Sequence, residues 1–201
     1  MRSRVFEWHG ATQPEDVCRG SIGRQANPGV GALQRGASVE LLDFFTGKWM
    51  NTVDAKGRVS VPASIRKVVT ARVPEAKTMM LARHERDQCI QGFDKTYLAL
   101  AYRDMRSQQQ ADVERGRPTD SRFTRSGTLF GSTEEIAIDG SGRIILPPGL
   151  RRRAGITDSA LFVGTGETFE IWSPEVALQS ADRPDIREFA EDLIAEREGR
   201  L

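Results

Sequence analysis

The chain has 201 residues, of which 38% are hydrophobic and 28% charged, with a formal net charge of +1 at pH 7, the composition of an ordinary globular protein. No apolar stretch reaches the roughly 18 residues of a transmembrane helix, and the polar start from Met1 to Gly36 lacks the apolar stretch of a signal peptide, so we expect a cytoplasmic protein. Cys18, Cys89, His9 and His84 form no CxxC or Cys/His pattern, so a disulfide framework, a metal and histidine-based catalysis are not expected.

Residues 1–43 are rich in glycine and show no sustained helical or strand period. This pattern predicts a disordered extension. A mis-assigned upstream start and a regulatory role are alternatives that the sequence leaves open.

The next segment, 46–97, is predicted to be a compact unit of short strands. An apolar run to Val53 and the run Val59–Val61 flank a tight turn, and Pro62 favours a helix that begins there and ends near Val69. Two further strands are predicted at Met79–Ala82 and Cys89–Phe93. Asp94 then suits the N-cap of a helix that runs to about Gln108.

The rest of the chain repeats this order. Residues 98–130 are predicted to be a helical link, with a polar stretch from Ser107 to Ser121 and a short helix from about Thr119 to Phe130. Residues 131–177 form the second unit, in which Ser173 is expected to cap a helix as Asp94 does. Residues 178–201 are predicted to contain an amphipathic helix from Asp182 that packs on the body or on a neighbouring subunit.

A ten-residue string occurs twice: Val53–Pro62 reads VDAKGRVSVP, and 85 residues later Ile138–Pro147 reads IDGSGRIILP. Two copies predict two similar units packed as a pseudo-symmetric pair, and two are too few for a solenoid. In each copy an aspartate (Asp54, Asp139) can accept bonds from the turn's own N–H groups, and a glycine (Gly57, Gly142) can take a positive φ.

An arginine leaves each turn on a strand, Arg58 in the first copy and Arg143 in the second. A rigidly placed guanidinium suits a phosphate or a guanine edge. The alternative is a local Asp–Arg ion pair that only shapes the hairpin. Residue types alone do not separate the two interpretations.

The positive charge is concentrated on the two copies. Residues 1–43 carry no net charge and residues 182–201 carry −3, which leaves +4 on 44–181, with a local +5 between Lys48 and Arg72. Such focused charge favours a polyanion partner, although a solvated basic face would look the same.

The paired strings, the Phe-Thr-Gly-Lys sequence at Phe45 and the Phe169–Trp172 string together resemble the MraZ family of bacterial transcriptional regulators, over about Phe44 to Leu178. The resemblance implies a mainly β fold with short helices (α+β), with two SpoVT-AbrB units duplicated in one chain as an AbrB-like β-barrel with a pseudo-two-fold. It also implies a nucleoid-associated, ring-like homo-oligomer that binds double-stranded DNA at repeated promoter elements of its own division and cell-wall operon.

Carried over by position, the resemblance makes Arg58 and Arg143 the DNA-contacting residues, with Lys56 beside the first and Ser141 in its place in the second copy. Arg152, Arg153 and Lys67 are candidate phosphate contacts. Arg66 and Arg151 also match, but each could pair with the aspartate of its own copy and brace the fold, as part of a turn scaffold with Asp54, Gly57, Asp139 and Gly142.

Three rival interpretations are weaker. Duplicated aspartates are typical of aspartic proteases, but Lys56 interrupts the small residues that follow Asp in that motif. Gly164-Thr165-Gly166 is a lone glycine pair, more typical of a turn than of a nucleotide loop. An AbrB-like antitoxin or transition-state regulator would share the DNA-binding unit, but the duplication within one chain and the amphipathic C-terminal segment argue against an antitoxin. We therefore expect a binding protein and no enzyme.

Overall fold

A computed structural model of the chain describes residues 44–75, 77–116 and 120–199. The predicted extension 1–43, with His9 and Cys18, lies outside the described residues. Every structural statement below refers to the described part.

Each copy of the repeated string lies in a β-β-α-β-β unit, directly after its first strand. The first unit contains β1 (Lys48–Thr52), β2 (Arg58–Ser60), α1 (Ala63–Arg72), β3 (Thr78–Arg83) and β4 (Ile90–Phe93). The second contains β5 (Glu134–Ala137), β6 (Arg143–Ile145), α4 (Pro148–Arg153), β7 (Ser159–Gly164) and β8 (Phe169–Trp172). Between them lie α2 (Lys95–Glu114) and α3 (Asp120–Ser132), and the chain ends with α5 (Pro174–Gln179) and α6 (Pro184–Arg197). The expected α+β class is confirmed.

The strand order shows that the two units exchange strands. Six strands form one antiparallel sheet in the order β1-β7-β8-β4-β3-β5, and β2 pairs with β6 in a separate two-stranded ribbon. Because β1 corresponds to β5, β7 to β3 and β8 to β4, this order is the same when one unit is replaced by the other. Each unit's first strand therefore pairs with a strand of the other unit, as expected for a pseudo-two-fold.

The strand registers locate the pseudo-two-fold axis. Val59 pairs with Ile144, its own equivalent, at the middle of the ribbon. In the large sheet Gln91 pairs with Glu170, which occupies the corresponding place in β8. Equivalent residues that face each other across two ladders indicate that one axis passes through both.

The main core is formed by buried side chains of both the ribbon and the large sheet. Val59 and Ile144 are 0% and 1% exposed and point into this core, together with Phe45, Ile65 and Phe169. A second hydrophobic cluster, separate from the main core, lies between the sheet and α6. In it Ile186 and Ala190 of α6 pack on Leu161, Val163 and Trp172 of β7 and β8. The C-terminal helix thus packs on the body of its own chain.

Helix α2 departs most from the sequence prediction. Asp94 caps it as expected, because its carboxylate accepts the N–H of Thr96 at 2.8 Å. The helix continues to Glu114, beyond the predicted end at Gln108, into a stretch predicted to be a linker. None of its residues is buried, so its length follows from the strong helix formers in the segment.

Ser173 corrects a second prediction. It occupies the N-cap position of α5, but its side chain makes no capping bond to a backbone N–H. Its hydroxyl donates a hydrogen bond to the Glu175 carboxylate instead.

None of the described helices is both long and apolar enough to span a bilayer.

Candidate nucleic-acid interface

The two motif turns have the same hydrogen-bond network. In the first, Asp54 Oδ1 accepts the N–H groups of Lys56 and Arg58, both at 2.9 Å, and its Oδ2 accepts Nε–H of Arg58 at 2.6 Å. In the second, Asp139 accepts the N–H groups of Ser141 at 2.8 Å and Arg143 at 2.9 Å, and Nε–H of Arg143 at 3.0 Å. One carboxylate therefore orders both the turn and the arginine that follows it.

These bonds also set the acidity of the two aspartates. The backbone N–H of Arg58 and then its guanidinium lower the pKa of Asp54. The backbone N–H of Arg143 lowers the pKa of Asp139 in the same way. Both carboxylates are therefore ionised at neutral pH and hold their arginines by charge-assisted bonds.

The glycine of each turn has the backbone conformation that the motif predicts. Gly57 has φ +78° and Gly142 has φ +76°, in the left-handed region that L-residues resist. Each glycine donates its N–H to the carbonyl oxygen of the turn's aspartate at 2.8 Å. The positive φ thus closes the turn.

Arg58 and Arg143 lie on one exposed face of the β2–β6 ribbon. In this ribbon Arg58 is opposite Ile145 and Ser60 is opposite Arg143, while the buried Val59 and Ile144 point to the other face. The arginines are diagonal neighbours across the ladder, a spacing of about 7–8 Å between Cα atoms. The ribbon thus presents both arginines on the same face, and each guanidinium is held by the aspartate of its own turn.

The ion-pair interpretation and the DNA-contact interpretation are compatible in this geometry. Each arginine uses Nε for its aspartate, and its terminal nitrogens make no hydrogen bond within the described residues. The side chains remain 40% and 41% exposed. The aspartate thus orients a guanidinium whose outer edge stays available.

Arg66 and Arg151 do not pair with the aspartates of their own copies, contrary to that alternative. Arg66 Nε–H donates to the carbonyl oxygen of Val61 at 3.1 Å, and Arg151 Nε–H donates to that of Ile156 at 3.0 Å. Their guanidinium groups lie against the turn glycine of the other copy. Each arginine therefore joins its own helix to the motif turn of the other copy.

The remaining basic candidates are distributed around the ribbon. Lys56 and Lys67 are exposed, as are Arg152 and Arg153 on α4. Arg152 and Arg153 line a shallow depression of about 440 Å³ together with Arg86 and Gln88 from the β3–β4 turn. Sequence patterns did not indicate Arg86, because its neighbours come from a distant part of the chain.

His84 belongs to no Cys/His pattern, but it contacts two acidic residues. Its Nδ1 accepts the N–H of Asp87 at 2.9 Å, and its Nε2 lies 3.7 Å from Oε1 of Glu170. Arg183 already binds both carboxylates, at 2.8 Å to Asp87 and 3.3 Å to Glu170. One guanidinium therefore links both carboxylates to the N-cap position of α6.

A larger cavity of about 710 Å³ lies away from the ribbon, between the β3–β4 turn and helices α2 and α3. Its walls are formed by residues such as Arg83, Tyr97 and Leu129. None of the predicted DNA-contacting residues lines it.

Comparison with known proteins identifies the family. "Transcriptional regulator MraZ" of Rhodospirillum rubrum is 36% identical over 141 residues, which cover 69% of this chain and 85% of that protein. The protein of the same name from Gluconacetobacter diazotrophicus is 30% identical over 165 residues, 79% of this chain and 96% of the relative. The chain belongs to the MraZ family. The family model described as "MraZ protein, putative antitoxin-like" matches residues 129–176, which include the second copy of the motif.

Proposed function

We propose that this MraZ-family chain is a sequence-specific DNA-binding transcriptional regulator that presents the exposed face of the β2–β6 ribbon to the major groove. The observation that carries the proposal is that Arg58 and Arg143 lie on the same face, each with its guanidinium oriented by an aspartate. A two-stranded ribbon fits the major groove, where arginine pairs bidentately with guanine. Relatives that are named transcriptional regulators support a binding role and no catalysis.

Affinity and specificity have separate sources in this proposal. Lys56, Lys67, Arg152 and Arg153 neutralise phosphates, which gives binding that weakens as salt rises. Arg58 and Arg143 read base edges, each contributing roughly 1–3 kcal/mol of discrimination. The aspartates hold these arginines in place before DNA arrives, so less side-chain entropy is lost on binding.

We further propose that the target is a set of repeated elements in the promoter of the chain's own division and cell-wall operon, bound at the nucleoid by a ring-like homo-oligomer. One chain offers only a few contacts. Several identical surfaces on correctly spaced repeats raise the effective concentration of each, so that spacing becomes part of recognition.

A mobility-shift titration with the fragment upstream of the chain's own gene tests the proposal. The wild type is expected to bind this fragment in preference to random DNA at moderate salt, with footprints at a fixed spacing. Arg58→Ala with Arg143→Ala should abolish the preference while the unfolding transition remains cooperative. Arg103→Ala with Arg106→Ala removes the same charge from the exposed side of α2 and should leave it intact. Equal binding by the Arg58/Arg143 variant would refute the assignment of the site.

The family description also contains the word "antitoxin-like", which keeps an antitoxin as the second candidate. That function requires a partner protein that the chain neutralises. A stable complex with the product of an adjacent gene would support it, and the mobility shift would then depend on that partner.

A further inference from the structure

The exposed face of the ribbon is not chemically symmetric. Two cross-strand pairs form it, Arg58 with Ile145 and Ser60 with Arg143. The pseudo-two-fold exchanges the two arginines and therefore also exchanges Ile145 with Ser60. One half of the face thus has an apolar residue beside its arginine, and the other half has a hydroxyl.

Ile145 is not part of the hydrophobic core. Its side chain is 56% exposed, whereas its neighbour Ile144 is 1% exposed and fills the core. A single exposed isoleucine is common on protein surfaces. This one lies on the proposed contact face, directly opposite Arg58 and two residues along the strand from Arg143.

We propose that Ile145 is a specificity-determining residue that contacts the C5-methyl group of a thymine next to the base read by Arg58. This inference rests on the proposed DNA-binding function of the ribbon. In the major groove the methyl group distinguishes thymine from the other bases, and apolar side chains recognise it by contact. Residues directly opposite in a ladder have Cβ atoms about 4.5–5.5 Å apart, which suits the reading of adjacent bases.

Ser60 gives the other half of the face a different preference. A hydroxyl can donate to or accept from several base edges and does not require a methyl group. The Arg58–Ile145 half therefore favours guanine next to thymine, and the Arg143–Ser60 half favours guanine with a tolerant neighbour. Lys56 and Ser141 add to this difference, because only the first turn has a lysine.

A direct consequence is directionality. A symmetric ribbon would bind both orientations of an element equally, whereas this one distinguishes them.

Replacement of thymine by uracil tests the inference, because it removes only the methyl group. The promoter fragment is prepared with thymine or with uracil throughout, and both forms are titrated by mobility shift with the wild type, Ile145→Ala and the control Arg103→Ala with Arg106→Ala. The wild type should bind the uracil form at least about fourfold more weakly, the factor expected for one methyl-sized apolar contact. Ile145→Ala should bind both forms equally, and the control, whose changes lie on α2 away from the ribbon, should keep the wild-type ratio.

The outcomes separate the two proposals. If the wild type prefers its promoter but Ile145→Ala keeps the full thymine preference, the methyl contact is refuted and the regulator proposal stands. Equal binding of the thymine and uracil fragments by the wild type would also refute the methyl contact. If the wild type does not prefer the promoter at all, both proposals fail. Because Ile145 is exposed, its substitution should leave the unfolding transition unchanged, and circular dichroism checks this.

Discussion

The guanidinium of Arg66, in the first repeat, lies against Gly142, in the turn of the second. A Cβ atom at Gly142 would be 2.7 Å from Cζ of Arg66. The reciprocal contact also exists, because a Cβ at Gly57 would be 3.2 Å from Nη1 of Arg151. The helix-borne arginine of each repeat thus covers the turn of the other repeat.

Substitution of Gly142 tests this arrangement. Gly142→Ala should lower the free energy of unfolding by about 1–2 kcal/mol from the positive φ alone, and by more if Arg66 has to move. Gly57→Ala should cost less, because its nearest neighbour is farther away. Denaturant unfolding measures both.

Gly140→Ala is the matched control, since Gly140 lies in the same turn without a positive φ and a Cβ there would have no neighbour within 4 Å. It should leave stability nearly unchanged. If Gly140→Ala lowered the free energy of unfolding as much as Gly142→Ala, neither the positive φ nor the contact with Arg66 would explain the loss at Gly142.

Local features of this fold were predictable from sequence, and long-range contacts were not. The aspartate and glycine of each turn follow from turn chemistry, which involves only neighbouring residues, and individual strands follow from their sequence patterns. The α+β class was expected from the family resemblance. The partner of Arg66 belongs to the other repeat, 76 positions further along the chain as Gly142, and no local pattern indicates it. The exposure of Ile145 depends in the same way on which strand pairs with β6.

Charge at the first turn should control the salt dependence of DNA binding. Lys56→Ala removes one candidate phosphate contact, so the slope of log K against log salt should fall by about one. Ser141→Lys gives the second turn the missing charge and should raise the slope by a similar amount. Titrations over a series of salt concentrations measure both changes. Unchanged slopes would show that the tips of these turns do not approach the phosphates.

The Arg72–Asp94 ion pair should make stability sensitive to acid. Asp94 is 1% exposed, and its carboxylate lies 2.7 Å from Nη1 of Arg72. Burial alone would raise the pKa of Asp94, but the hydrogen bonds from Thr96 and Arg72 outweigh it and lower that pKa. The contribution of this ion pair to the free energy of unfolding is therefore fully present above about pH 3.9, the pKa of Asp in the unfolded chain. It is lost as pH falls through the lowered pKa of Asp94 in the folded state.

Asp94→Asn should lower the free energy of unfolding at pH 7 by about 3 kcal/mol, because Arg72 loses its buried counter-ion. Below pH 4 the difference from the wild type should shrink as the wild-type carboxylate becomes protonated. Urea unfolding at a series of pH values measures this convergence. Parallel curves for the two proteins would show that the loss does not depend on the charge of Asp94.

The ion pairs of Arg183 should stabilise the packing of α6 against the rest of the chain. Arg183 binds Asp87 at 2.8 Å, Asp185 at 3.1 Å and Glu170 at 3.3 Å, and Glu170 also accepts Nε1–H of Trp172 at 2.8 Å. In Arg183→Ala the carboxylate of Glu170, which is 5% exposed, loses this cation. The free energy of unfolding should therefore fall by about 3 kcal/mol.

Arg187→Ala is the control, because Arg187 lies on α6 in an exposed pair, 3.9 Å from Glu191. Its loss should lower the free energy of unfolding by no more than about 0.5 kcal/mol. Hydrogen exchange should show faster exchange of the α6 amides in Arg183→Ala than in Arg187→Ala. Equal protection in the two variants would mean that the packing of Ile186 and Ala190 holds the helix without the network.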